Sequence, residues 1–259
     1  MANTVHLQDA PPLVAQVDSL QLGDLAEFTA LIAASFLGVL SLYVLETVVP
    51  PKGFQSASLN FARFAAKGAA SVAFVAAAGN ILASAPTITV EHASLFVALI
   101  LCAVGDLLLV VERSFVPGVL TFLAGHMAFG ASFVAHGVTL GRCALALPVV
   151  LPVLIGVKRH LYPHVPGGLL RIVHLYSAAI CIMAVLAAGT GRPILFGAAL
   201  LFIVSDIGVG QGAFIKTTAG TRASVFLYYS AQAVFAWSMF PGTVAALLPA
   251  VLAEARMLV

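Results

Sequence analysis

From position 25 to position 240 the chain is a succession of apolar runs, most of them close to the ~20 residues that a helix needs to cross a bilayer. Eight can be marked, at about 25–49, 62–84, 91–111, 115–138, 143–157, 169–188, 193–215 and 222–240. In hydrocarbon every backbone amide must find a partner within the protein, so runs of this length fold as helices. Barrel strands would instead alternate over ~10 residues. Composition supports the same reading, because 61% of the residues are hydrophobic and only 8% are charged, against ~25% charged in soluble domains. A soluble enzyme, a disordered chain and a secreted disulfide scaffold are excluded. The expected fold is an all-α polytopic membrane bundle of eight transmembrane helices over residues 25–241. A polar N-terminal tail, 1–24, precedes it and a short interfacial segment, 242–259, follows it.

The net charge of +2 implies no nucleic-acid partner. The placement of the basic residues is more informative. Lys52, Arg63, Arg113, Lys158, Arg159, Arg171, Lys216 and Arg222 fall on the side that receives the loops after the first, third, fifth and seventh runs. Only Arg142, Arg192 and Arg256 fall on the other, so the first side is the cytoplasmic candidate. Cys102, Cys143 and Cys181 lie in apolar runs without metal-knuckle or disulfide spacing and read as packing residues. Two runs resemble each other: Val104-Gly105-Asp106-Leu107 in the third and Val204-Ser205-Asp206-Ile207 in the seventh. An offset of four runs is compatible with two parallel four-helix halves.

The polar residues inside the runs carry the chemistry. A charge near the bilayer centre costs at least ~2.5–3.5 kcal/mol and normally faces the bundle interior. Asp106, Asp206, Lys67 and His126, with Tyr176, Tyr229 and Gln232, come from six runs and fall in one half of the membrane. Each also has a plainer reading. Asp106 could pair with Arg113 at the interface, Lys67 could snorkel to the headgroups, and His126 could bond a backbone carbonyl. Tyr176, Tyr228 and Tyr229 could form an aromatic belt, and Gln232 could bridge helices. Two carboxyl groups in an apolar pocket favour one protonated acid beside one ionised partner. That pair suits acid-catalysed hydrolysis through an oxocarbenium-like cation. It suits equally a proton-coupled transporter or lipid flippase.

Four segments resemble the lysoplasmalogenase family, the bacterial YhhN and animal transmembrane protein 86 group. They are Gly105-Asp106 with Phe115, Gly118, Phe122 and His126; Tyr176-Ser177 with Ile180, Met183 and Ala187; Gly197-Ala198 with Leu201-Phe202 and Ser205-Asp206; and Tyr229 with Gln232. Lys67 matches a lysine of the family's second span. The resemblance implies a membrane hydrolase that cleaves the vinyl ether of lysoplasmalogen, releasing a fatty aldehyde and glycerophosphocholine or glycerophosphoethanolamine. Under it Asp106 and Asp206 form the catalytic pair and His126 positions water or tunes the acid. Tyr176, Tyr229 and Gln232 hold the ether oxygen or glycerol hydroxyl, and Lys67 meets the phosphate. No metal or cofactor is called for; the partners are a lysophospholipid from the bilayer and water. The membrane is the endoplasmic reticulum in a eukaryote or the inner membrane in a bacterium.

Overall fold

The computed structural model describes residues 13–48, 57–85, 87–217 and 219–240. They form eight α-helices: α1 Leu13–Val48, α2 Ala57–Ser84, α3 Val90–Leu108, α4 Phe115–His136, α5 Leu140–His160, α6 Leu170–Gly189, α7 Pro193–Gly210 and α8 Ala219–Trp237. A π turn, Gln211–Ile215, extends α7. The described residues hold no strand. Residues 1–12 of the expected tail and the interfacial segment 242–259 lie outside the described residues. Helix α1 starts at Leu13, so helical backbone reaches into the stretch read as a polar tail.

Among the described residues, six helices are long and apolar enough to cross a membrane: α2 to α7. The chain is an integral membrane protein. Helix α1 has a shorter apolar stretch, Leu25–Ser41. Helix α8 is the more polar one because it packs inside the bundle, against α1, α2, α3 and α7. Ser224, Tyr228, Tyr229 and Gln232 of α8 are all buried, so this helix has little need of a lipid-facing apolar surface. Helix α5 is longer than its apolar run. Pro148 and Pro152 sit inside it without ending it, as prolines in membrane helices commonly do. Its Leu140, Leu145 and Leu151 are exposed, as expected of a lipid-facing surface.

Helix neighbours repeat at a spacing of four. Contacts α1–α2, α2–α3 and α3–α4 in the first half correspond to α5–α6, α6–α7 and α7–α8 in the second. The halves join through α2–α8 and α4–α6, which also correspond. The match is incomplete, because α8 packs on both α1 and α3 while α5 packs chiefly on α6.

The contact between α3 and α4 is built on small residues. A Cβ added at Gly105 would lie 2.8 Å from the Phe122 ring, one at Gly118 would lie 2.9 Å from Leu109, and one at Gly125 would lie 2.9 Å from Cys102 Sγ. These glycines bring α4 close enough for its aromatic stripe to reach α7 and α8. Phe122 meets Phe202 and Tyr228 edge to face at 6.2 and 5.8 Å. Gly105→Ala is therefore expected to overpack this seam and lower stability by about 1–3 kcal/mol, read as a fall in the melting temperature of the detergent-solubilised protein. An unchanged melting temperature would show that the seam can relax.

Candidate active site

One cavity of about 290 Å³ opens between the helices, and its wall is mostly apolar. Its polar lining includes Lys67, Asp106, Tyr176, Ser177, Asp206 and Tyr229. Both carboxyl groups thus reach the same space, although they are a hundred positions apart.

Each carboxyl group has its own partners. Asp106, on α3, accepts from Lys67 Nζ at 2.7 Å through Oδ1. Its Oδ2 accepts from the Tyr229 hydroxyl at 2.6 Å and from Ser71 Oγ at 3.3 Å. Lys67 and Ser71 are one helical turn apart on α2, so one face of that helix supplies both. Side-chain exposure is 19% for Lys67 and 7% for Asp106. A carboxylate bound to an ammonium and to hydroxyl donors is a strong charge-assisted arrangement. Asp206, on α7, accepts from the Tyr176 hydroxyl of α6 at 2.6 Å. His126 Nε2, on α4, lies 3.0 Å from that hydroxyl and 3.6 Å from Asp206 Oδ2. The imidazole stands edge-on to Phe202 at 4.8 Å, which fixes its plane. Among the described residues no hydrogen bond joins Asp106 to Asp206. Their direct partners form separate networks, α2–α3–α8 around Asp106 and α4–α6–α7 around Asp206.

Several readings from the sequence change. Lys67 does not snorkel: its ammonium turns inward to Asp106 and lines the cavity. Asp106 is not an interfacial partner of Arg113. Tyr228 is no belt residue: it is buried, and its hydroxyl donates to the Cys102 carbonyl at 3.0 Å. Tyr176 and Tyr229 line the cavity but donate to the carboxylates. His126 and Gln232 are buried outside the cavity wall, so a direct substrate contact by Gln232 has no geometric support. Ser71 was missed. Its position four residues beyond Lys67 was the available signal, but serines are common in membrane helices. At the opposite ends of α3 and α4, Glu91 pairs with His136 at 2.9 Å and with Arg192 at 3.6 Å, away from the cavity.

Fold and site together define an integral membrane protein with an apolar cavity furnished with two separately partnered carboxyl groups. Residues 62–239 match the YhhN family, and the chain belongs to that family. It is 34% identical over 143 residues to "Lysoplasmalogenase TMEM86B" of Sus scrofa, an alignment covering 55% of this chain and 61% of that relative. No solved structure matches the chain.

Proposed function

We propose that the protein is a hydrolase of lysoplasmalogen, cleaving its vinyl ether to a fatty aldehyde and a glycerophospho-alcohol. The observation that carries this reading is the unequal partnering of two carboxyl groups on one apolar cavity. Asp106, held by an ammonium and two hydroxyls, is suited to remain the carboxylate. Asp206, facing only a hydroxyl and an imidazole, is suited to carry the proton. The name of the 34% identical relative supports the substrate class.

The chemistry balances on these groups. Asp206 delivers its proton to the vinyl carbon distal to the ether oxygen, and the double-bond electrons leave an oxocarbenium at the adjacent carbon. The Asp106 carboxylate stabilises that cation across the cavity. It then takes a proton from the water that adds there, giving a hemiacetal. Collapse of the hemiacetal moves the Asp106 proton to the departing glycerol oxygen. The hemiacetal hydroxyl proton is released as the aldehyde forms, and Asp206 takes up one proton to close the cycle.

The lipid chain needs only the apolar wall. The headgroup phosphate falls to the end where α5 and α7 finish and α6 begins. Lys158, Arg159, Arg171 and Lys216 are exposed there, flanking the cavity residues Val157, Val173 and Phe214. That is the face assigned to the cytoplasm by its basic loops. The other half of the bundle is filled by the buried Phe129, Phe133 and Phe235, which favours hydrolysis over a transport path through both faces.

The test is aldehyde release by purified protein from lysoplasmenylethanolamine and from its saturated alkyl-ether analogue. The vinyl ether is expected to be hydrolysed and the saturated ether to be inert, because it has no double bond to protonate. Equal handling of both, or no aldehyde from either, would overturn the reading.

A further inference from the structure

Six residues of the cavity wall carry a hydroxyl group: Tyr176, Ser177, Ser205, Ser224, Tyr228 and Tyr229. Five of these residues are engaged within the protein. Tyr176 donates to Asp206 and Tyr229 to Asp106, both at 2.6 Å. Tyr228 donates to the Cys102 carbonyl at 3.0 Å and Ser205 to the Ser224 carbonyl at 2.8 Å. Ser224 has a further partner of its own. Ser177 is the exception: it is only 9% exposed, yet it makes no hydrogen bond among the described residues. Mid-helix serines and threonines usually turn back to the carbonyl of the preceding turn, as Ser41, Thr29 and Thr121 do here. Away from the cavity the buried Ser35, Ser132, Thr190 and Ser238 also bond backbone carbonyls. The hydroxyl of Ser177 is left to the cavity instead. Val173, Ile180 and Cys181, which share its face of α6, line the same wall and offer it no strong partner. A buried hydroxyl without a partner calls for one from a ligand.

We propose that Ser177 binds the free 2-hydroxyl of the substrate's glycerol and so sets the preference for a lipid that carries a hydroxyl there. This deepens the hydrolase reading and rests on it. Three oxygens could take the serine hydroxyl: the ether oxygen, the attacking water and the 2-hydroxyl. Donation to the ether oxygen would oppose the reaction. That oxygen must release electron density as the vinyl carbon is protonated, so a bond to it would weaken in the transition state and raise the barrier. The water is activated by Asp106, whose partners come from α2 and α8. Ser177 belongs to the other side, since it follows Tyr176, the partner of Asp206. The 2-hydroxyl remains. Its carbon is bonded to the carbon that bears the ether oxygen, so it enters the cavity with the reacting group. It both donates and accepts, as does a serine hydroxyl. The register along α6 suits such a lipid. Arg171, at the basic end assigned to the phosphate, precedes Ser177 by six residues, or about 9 Å along the axis. The glycerol then lies between the basic end and the two carboxyl groups, with the hydrocarbon chain against the apolar wall. A serine in that place reads the headgroup side of the lipid without touching the carbon that changes.

The test is a cycle of two proteins and two lipids, with the full chain in detergent. The lipids are lysoplasmenylethanolamine and its 2-deoxy analogue, in which propane-1,3-diol replaces glycerol. The wild type is expected to favour the hydroxyl lipid about tenfold in kcat/KM, the usual scale of one buried hydrogen bond. In Ser177→Ala that ratio is expected to fall to near one, because the hydroxyl lipid loses its partner and the deoxy lipid has none to lose. The same two ratios are read as dissociation constants with the saturated-ether forms of both lipids, which bind without reacting. A wild type indifferent to the 2-hydroxyl would overturn the assignment, as would a preference that survives in Ser177→Ala. Should Ser177→Ala fail to fold, Ser177→Cys replaces it. The thiol has nearly the same size and is a poor donor, so the same loss of preference is expected. Failure to release aldehyde from either vinyl ether would remove the hydrolase reading. The binding ratios would still decide whether Ser177 recognises the hydroxyl.

Discussion

Asp206→Asn is expected to lower kcat for aldehyde release by about a thousandfold, within the range that positioned acid–base groups supply. Asparagine has nearly the same volume, and its carbonyl oxygen can still accept from the Tyr176 hydroxyl, whose bond to Asp206 is 2.6 Å. It cannot release a proton to carbon. Fold and lipid binding should therefore survive while the chemical step fails. Single-turnover aldehyde release and the dissociation constant of the saturated ether analogue separate the two. Tyr176→Phe removes the link to His126 but leaves the carboxyl group, so its loss should be smaller, about tenfold. Asp206→Asn with undiminished turnover would place the proton donor elsewhere.

That experiment depends on knowing which carboxyl group has which partners, and here sequence and structure contribute differently. Helical runs and their depths are legible because desolvation of the backbone leaves few alternatives. Asp106, Asp206, Lys67 and His126 stand out for a related reason: a charged or polar group in an apolar run needs an interior partner. Depth along a helix, however, says nothing about its rotation about its axis or about which neighbours it has. Lys67 meets Asp106 because α2 packs on α3, and Tyr229 joins them because α8 is threaded into the bundle. Neither fact follows from periodicity in a chain whose helices are apolar on most faces. Gln232 illustrates the limit. Its polarity was visible, but the rotation of α8 buries it between Tyr228 and Phe235, outside the cavity wall that Tyr228 itself lines. Gly105 shows the converse: it stands beside Asp106 in the segment that carries the family resemblance, yet what it meets is the Phe122 ring.

Removing either partner of the Lys67–Asp106 pair is expected to destabilise the protein, and removing both is expected to restore most of the loss. The bond is 2.7 Å long. Breaking a buried ion pair from one side typically costs about 3–5 kcal/mol, because the remaining charge is left uncompensated. The low end applies here, since the Lys67 side chain keeps 19% exposure. Lys67→Met strands the Asp106 carboxylate with only hydroxyl donors. Asp106→Leu strands the ammonium, while Tyr229 retains Ser71 Oγ at 3.2 Å and the Lys67 carbonyl at 3.3 Å as partners. In the double variant no charge remains, and apolar replacements of similar volume are commonly neutral or stabilising. Denaturation of all four proteins in one detergent should give two weakened single variants and a double variant within about 1 kcal/mol of the wild type. Activity should separate from stability. The Asp106→Leu and double variants should release no aldehyde, because no carboxylate remains to stabilise the oxocarbenium and take the water's proton. Additive stability losses would show that the pair is not coupled. A stable double variant that still turned over would show that the ion pair holds the bundle together without taking part in the chemistry.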